Sequence, residues 1–389
     1  MSQTDMQTAQ HLGSVKLLVA TLVVHTIGPQ MVLVLPGFVQ ALVEYAGFSE
    51  GSAGFVASAE MFGMMAGAAL LMVLMSKINW RILFYGALTI LLVTNIASIF
   101  SYDQWSMMIL RFCAGTAGGL LVSLSYTVFG MTDRPDRNFA LGIFFVLLYG
   151  AVVYPFLPTL FAWGGLMGLM IFMAACTVLG FFFVHILPTK IKESDVASTG
   201  STNLDWGRRA LAILAMLIFF AANFAVWTYL FRIGVVGGIS EQDVAEGLSI
   251  SQFFGMAGAF ACAAAGTRFG RSRMLILAII GCSAMVYALL GIKDAFMYLL
   301  IVGFYQFFWN MAHPYLLAAM ASFDASGRTV VYATFAQFLG IAVGPTIAAL
   351  FVIEGDFGTI LMLSSGLLLV TTVCIFIPLR KWKQLMKLT

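Results

Sequence analysis

Residues 360–377 read ILMLSSGLLLVTTVCIFI, and none of them carries a charge. A hydrocarbon core about 30 Å thick needs about 20 apolar residues for one helical crossing. The run from Leu17 to Val34 has the same uncharged character. Comparable stretches recur at roughly 15–39, 51–75, 82–100, 106–131, 139–162, 166–187, 209–233, 246–267, 273–292, 295–322, 331–352 and 358–379. They fill most of a 389-residue chain that is 61% hydrophobic and 10% charged, which excludes a water-soluble domain of this size. Inside lipid every backbone N–H and C=O must be satisfied within its own segment, so helices are required. A membrane β-barrel would show short alternating strands instead of continuous apolar runs. The expected fold class is an all-α membrane protein with twelve transmembrane helices.

Met1 to Gly13 is polar and lacks a basic stretch followed by a short apolar core, so no removable signal peptide is expected. The loop charges are one-sided. Lys77, Arg81, Arg134, Arg137, Lys190, Lys192, Arg208, Arg209, Arg268, Arg271, Arg273, Arg328 and the tail from Arg380 to Lys387 share one set of span ends. Glu44, Glu50, Asp103, Glu241, Asp243, Glu246, Glu354 and Asp356 share the other, with only Arg232 and Lys293 as basic residues. The positive-inside rule then expects both termini in the cytoplasm of a cell (inner) membrane protein.

The longest connection, Pro188 to Trp206, is rich in Ser, Thr, Lys and Asp and divides the spans six and six. The expected organisation is residues 1–187 as an N-terminal bundle, 188–208 as a cytoplasmic tether and 209–389 as a C-terminal bundle with a short tail. A shift of 192 positions lays Phe62-Gly63-Met64 on Phe254-Gly255-Met256, Arg81 on Arg273 and Glu60 on Gln252. That echo supports a duplicated six-helix unit.

Cys113, Cys176, Cys262, Cys282 and Cys374 each fall inside a span without ligand spacing, which reads as small apolar packing residues. The chain lacks a phosphate-cradling loop, HExxH, paired ligand histidines and GxSxG. No enzyme activity, cofactor, metal or nucleic-acid partner is expected, and a monomer is. Energy for any vectorial work would come from an ion gradient, with protons as the default.

Between spans 2 and 3 stands Met75-Ser76-Lys77-Ile78-Asn79-Trp80-Arg81, and between spans 8 and 9 Thr267-Arg268-Phe269-Gly270-Arg271-Ser272-Arg273. Span 4 carries Arg111-Phe112-Cys113-Ala114-Gly115-Thr116-Ala117-Gly118-Gly119. Span 5 carries Gly150-Ala151-Val152-Val153-Tyr154-Pro155, and span 11 carries Gly340-Ile341-Ala342-Val343-Gly344-Pro345. With these motifs the chain resembles the major facilitator superfamily of secondary transporters over essentially its whole length. The family's loop motif is G-x-x-x-D-R-x-G-R-R, and its proton antiporters carry G-x-x-x-G-P in helix 5. Here the acid of the loop motif is missing from both copies, Thr267 replacing it in the second. Tyr154 stands where span 5 should have its second glycine. The resemblance implies two pseudo-symmetric six-helix bundles with a central cavity lined by helices 1, 4, 7 and 10. It also implies gating roles for Lys77, Arg81, Gly115, Gly150, Pro155, Arg268, Gly270, Arg271, Arg273, Gly344 and Pro345.

An ionisable group inside the bilayer costs roughly 2.5–3.5 kcal/mol on insertion scales, so each needs a partner or a task. Arg111 reads as an anchor for an anionic substrate group, as a switch partner in proton coupling, or as a snorkelling side chain. Glu60 lies deeper in span 2, where a carboxylate removed from water can exchange a proton near neutrality. A static Glu60–Arg111 ion pair, or an interfacial carboxylate, is the alternative. His25, four residues before Pro29, could relay protons or bond substrate, or rest on a backbone carbonyl.

Tyr305, Trp309 and His313 recur every four residues in span 10, as do Gln306 and Asn310. Asn223 and Trp227 repeat that spacing in span 7, and Gln337 is a further polar position in span 11. One helix face then presents rings and amides at mid-depth, as a wet cavity would require. Interhelical hydrogen bonding is the competing reading. The expected substrate cavity comprises His25, Arg111, Asn223, Trp227, Tyr305, Gln306, Trp309, Asn310, His313 and Gln337. Glu60, His25 and Arg111 are assigned to proton coupling.

The leading expectation is a secondary active transporter of a small organic compound, working by alternating access with protons. Export of amphipathic compounds by antiport ranks first, on the span 11 motif and the apolar lining. Proton-linked uptake of a small organic carboxylate ranks second, because Arg111 would supply its counter-charge. A non-transporting receptor or an intramembrane enzyme is a remote third.

Overall fold

The computed structural model describes residues 14–132, 134–189, 204–265, 268, 270–323, 328–353 and 355–385. The expectations at Met1 to Gly13, Lys190, Lys192, Thr267, Phe269, Glu354 and Lys387, and most of the tether at 188–208, lie outside these residues. The described chain is helical throughout apart from short connections and one isolated bridge at Ile353 and Asp356.

Span 1 is broken into α1 (Val15–Ile27), α2 (Gln30–Leu33) and α3 (Leu35–Ala46). Pro29 has no N–H to give the His25 carbonyl, and Pro36 stands in the first turn of α3. The broken span therefore runs further than the 15–39 expected. Span 2 is α4 (Glu50–Leu74), span 3 is α5 (Trp80–Ser98) and span 4 is α6 (Gln104–Gly130). Span 5 begins as α7 (Pro135–Val153), followed by a single 3-10 turn at Tyr154–Phe156 and then by α8 (Leu157–Val184).

The apolar stretch Arg137–Val184 is 48 residues long. A straight helix of that length would measure about 72 Å, more than twice a bilayer core. It breaks at Gly165, where φ is +55° and ψ is −129°, a left-handed conformation open to glycine. Gly168 then lies against the Leu160 carbonyl, which only a folded-back chain allows. Spans 5 and 6 meet at this break.

The second half comprises α9 (Trp206–Val236), α10 (Glu241–Ala265), α11 (Arg271–Ala288), α12 (Ala295–Ser322), α13 (Arg328–Phe351) and α14 (Gly358–Leu385), which are spans 7 to 12. Among the described residues ten stretches are long and apolar enough to cross a membrane. One of them holds two spans, and α1–α3 supplies the twelfth.

Side chains close the helix starts. The Asn79, Asp103 and Asp294 side chains accept backbone N–H groups at 2.8–2.9 Å. Hydrogen bonds from Ser106 hold the Asp103 carboxyl below the usual carboxylate range. Within the spans, buried hydroxyls turn back on their own helix, as Ser125 does to the Leu121 carbonyl and Thr228 to that of Phe224.

Contacts divide the chain into two units, and Ser49–Ser58, which is the start of α4 with the residue before it, goes with the second. In the first unit, span 1 packs on spans 4, 5 and 6, span 3 on spans 4 and 6, and span 4 on span 5. In the second, span 7 packs on spans 10, 11 and 12, span 9 on spans 10 and 12, and span 10 on span 11. Every pairing recurs six spans later, so the echo in sequence is also an echo in packing.

Spans 2 and 4 meet backbone to backbone. Cβ atoms added at Gly63 and Gly67 would strike the Phe112 and Thr116 carbonyls, and at Gly115 and Gly119 those of Glu60 and Met64. Four glycines thus form a reciprocal seam that larger residues would prise apart. Gly67→Ala should destabilise the protein by about 1–3 kcal/mol. Gly86→Ala on α5, where nothing lies within 4 Å, should be neutral or stabilising. Thermal unfolding of the two purified variants against wild type checks the contrast.

Candidate functional site

The glycine seam sets Glu60 of α4 beside Arg111 of α6. The Arg111 guanidinium donates from Nη1 to Asn95 Oδ1 at 3.0 Å and from Nη2 to Ser98 Oγ at 2.9 Å. Both acceptors stand on α5, one turn apart. Glu60 Oε2 approaches Nη1 at 3.9 Å and has no hydrogen-bond partner among the described residues. All four side chains are buried, Arg111 completely. Arg111 therefore does not snorkel; it turns into the first unit.

At this separation the attraction is on the order of 4 kcal/mol for an effective dielectric near 20. Desolvation costs several kcal/mol per ion, so the two terms nearly balance. Hydrogen bonds from α5 fix the arginine whether or not Glu60 is charged. Glu60 Oε2 faces the guanidinium with no hydrogen bond among the described residues, so its link to Arg111 is one of charge.

His25 is buried in α1 beside Tyr126 and Phe129 of α6, with ring centroids at 4.8 and 5.3 Å. Neither ring nitrogen has a hydrogen-bond partner among the described residues. A Cβ at Gly142 of α7 would come within 3.3 Å of Nε2, so the absent side chain leaves the ring its room. Tyr126 and Arg111 are about 22 Å apart along α6 by helical rise. His25 and the Glu60–Arg111 pair are separate sites.

The second unit gathers the rings and amides of spans 7, 10 and 11. Trp309 of α12 lies against Phe224 and Trp227 of α9 and Tyr305 of its own helix, at 5.6, 6.0 and 5.6 Å between centroids. The Tyr305 hydroxyl donates to the Asn223 carbonyl at 3.0 Å. Asn223 donates to the Phe219 carbonyl at 2.7 Å and accepts from the Cys282 thiol at 3.2 Å. Asn310 donates to Gln306 Oε1 at 3.1 Å, and His313 pairs with Gln337 Oε1 of α13 at 3.2 Å.

Asn223, Trp227, Tyr305 and Gln306 are buried, whereas Trp309, Asn310, His313 and Gln337 are partly exposed. The exposed four form the accessible face, and the buried four hold it in place. Spacing in the sequence found the stripe but not this division.

Some of the motif residues bear on neighbouring backbone and others are exposed. Arg81 Nε donates to the Leu187 carbonyl at 2.7 Å, while Lys77 is exposed. Arg271 donates to the Ala318 carbonyl at 3.2 Å, Arg268 and Arg273 are exposed, and Gly270 has φ +84°. Gly150 is buried and Pro155 lies in the 3-10 turn after α7. Gly340 and Gly344 of α13 sit on the backbone of α9 at Leu217 and Ala221, with Pro345 next in line.

Three arrangements were missed from sequence. Asn95 and Ser98 signalled themselves only as polar residues three apart in span 3. Arg232, an exception in the charge pattern, donates to Glu50 Oε1 from Nε at 3.0 Å and Nη2 at 2.8 Å. Beside that pair the Tyr229 hydroxyl donates to the Glu50 carbonyl at 2.7 Å, and Ser58 meets Thr346 at 2.5 Å.

Arg111→Ala takes their buried partner from Asn95, Ser98 and Glu60 at once and should destabilise by about 3–5 kcal/mol. Glu60→Gln should cost clearly less, since Asn95 and Ser98 still hold the guanidinium. Thermal unfolding of both variants at neutral pH tests the order; the reverse order would contradict the assignment of α5 as the arginine's anchor.

Residues 20–345 match the family model described as Major Facilitator Superfamily. Among curated protein sequences none matches this chain. The solved structure of the nucleoside transporter NupG superposes with a TM-score of 0.71 at 15% identity, covering 94% of this chain and 98% of its own. A D-xylose-proton symporter gives 0.73 at 14% identity, covering 95% and 97%. A partially occluded, inward-open xylose transporter, XylE from E. coli, gives 0.69 at 12% identity, covering 93% and 96%. At such identities the likeness speaks for the fold, and it agrees with the twelve helices and their sixfold-shifted pairing. The chain belongs to the Major Facilitator Superfamily, a family of multi-pass membrane transporters of small molecules.

Proposed function

We propose that the protein is a proton-coupled secondary transporter of an uncharged or amphipathic organic molecule, with Glu60 as the proton carrier. The observation that carries this reading is the buried Glu60–Arg111 contact, in which the arginine is fixed by Asn95 and Ser98 and the carboxylate is not. Protonating Glu60 removes one charge from a dry site and leaves Arg111 without its counter-charge, which biases the packing of α4 against α6. Substrate would contact Trp309, Asn310, His313 and Gln337, which offer ring faces, two amides and an imidazole but no fixed charge. The two six-helix bundles, residues 1–187 and 209–389, would alternate access around a midplane site. Both termini would lie in the cytoplasm of a cell (inner) membrane, and the protein would act as a monomer.

Export by proton antiport remains the first reading, on the glycine–proline motif ending at Pro345 and an aromatic accessible face. Uptake of a carboxylate loses ground, because Arg111 is engaged by α5 and not offered to a ligand. A second reading, proton symport of a hydroxylated compound, is favoured by the amides Asn310 and Gln337 and by the fold shared with a protein titled a D-xylose-proton symporter.

Everted vesicles with an inside-acid gradient separate the readings. Antiport predicts gradient-driven accumulation of an amphipathic dye such as ethidium. Glu60→Gln should abolish that accumulation and leave gradient-free dye exchange intact. If the dyes stay out while xylose or uridine enters right-side-out vesicles with protons, symport replaces antiport. If Glu60→Gln keeps full gradient dependence, the carrier assignment is wrong. Trp309→Ala should raise KM about tenfold, the loss of roughly 1.4 kcal/mol of ring contact, with less effect on the proton coupling.

A further inference from the structure

Within the first unit, α1, α7 and α8 enclose a cleft of about 280 Å³ that the transport reading does not use. Val19, Leu22 and Thr26 of α1, Phe145 and Tyr149 of α7, and Cys176 of α8 line it. The Thr26 hydroxyl is already engaged within its helix, donating to the Leu22 carbonyl at 2.9 Å. The wall is otherwise hydrocarbon and ring, with the Cys176 thiol and the buried Tyr149 hydroxyl as its remaining polar groups. Val19 and Phe145 at the mouth are both exposed, so the cleft opens on the flank of membrane-spanning helices.

Two features say what fills it. Small-molecule sites run from about 300 to 1,000 Å³, so this volume suits a single hydrocarbon chain better than a drug-sized body. The helix ends beyond the mouth are basic: exposed Lys16 stands one turn before Val19, and exposed Arg137 about 12 Å of helical rise before Phe145. Long basic side chains at such ends reach the phosphate level of a bilayer. We propose that the cleft binds one acyl chain of a membrane phospholipid whose phosphate lies beside Lys16 and Arg137. The chain would complete the packing among α1, α7 and α8, replacing dispersion contacts that an unfilled groove lacks.

Photo-crosslinking in nanodiscs tests this with a phosphatidylglycerol that bears a diazirine midway along one chain. After illumination, peptide mass spectrometry should place adducts on the segment around Leu22 and Thr26 and on the segment holding Cys176. Their yield should exceed that at Val93 and Phe260, exposed apolar positions on other spans, several-fold. Thr26→Phe, which fills the cleft, should bring the yield at the Cys176 segment down to the level of those controls. Should that variant not fold, the contrast between positions in the wild-type protein still decides. Even labelling of all exposed positions, or preferred labelling of the cleft by a water-soluble diazirine, would overturn the proposal.

Discussion

A guanidinium that has no route to water must find all of its partners inside the bundle, and Arg111 sets that demand. At Nη1 and Nη2 it is met by Asn95 and Ser98 from α5 and by Glu60 from α4, while Nε has no partner among the described residues. Such proximity requires α4 and α6 to touch along their backbones, which the glycines at 63, 67, 115 and 119 allow. Three helices of the first unit are thus placed by one charge, and small residues make that placement sterically possible.

The second unit repeats the packing but not the chemistry. Shifting by 192 positions sets Gly303 against Arg111 and Gln252 against Glu60, so neither ion-pair partner recurs. The second unit has a buried pair of its own, Glu50–Arg232, and gathers rings and amides supported by the bonds among Asn223, Tyr305 and Cys282. The repeated packing thus carries different side chains in the two halves.

The sequence made the fold legible because lipid imposes a coarse rule. Runs of some twenty apolar residues mark the spans, and the break at Gly165 fell where two adjacent runs were expected to separate. The two breaks of span 1 were not legible, since prolines do not reveal how many times a helix restarts. In the site, the four-residue recurrence of Tyr305, Trp309 and His313 was visible because a helix face has that period. Asn95, Ser98 and the Glu50–Arg232 pair were not, because their partners lie on other helices and side-chain direction is not written in spacing. The basic loops gave an orientation, but Arg232 could only be seen as an exception until Glu50 was found beside it.

The central claim is that Glu60 exchanges a proton while Arg111 stays fixed. Infrared difference spectroscopy over a pH titration of the purified protein in bilayers observes that exchange at the carboxyl itself. The account predicts a protonated-carboxyl C=O band that grows as pH falls and is missing from Glu60→Gln. The same band in both proteins, or none in either, would contradict it.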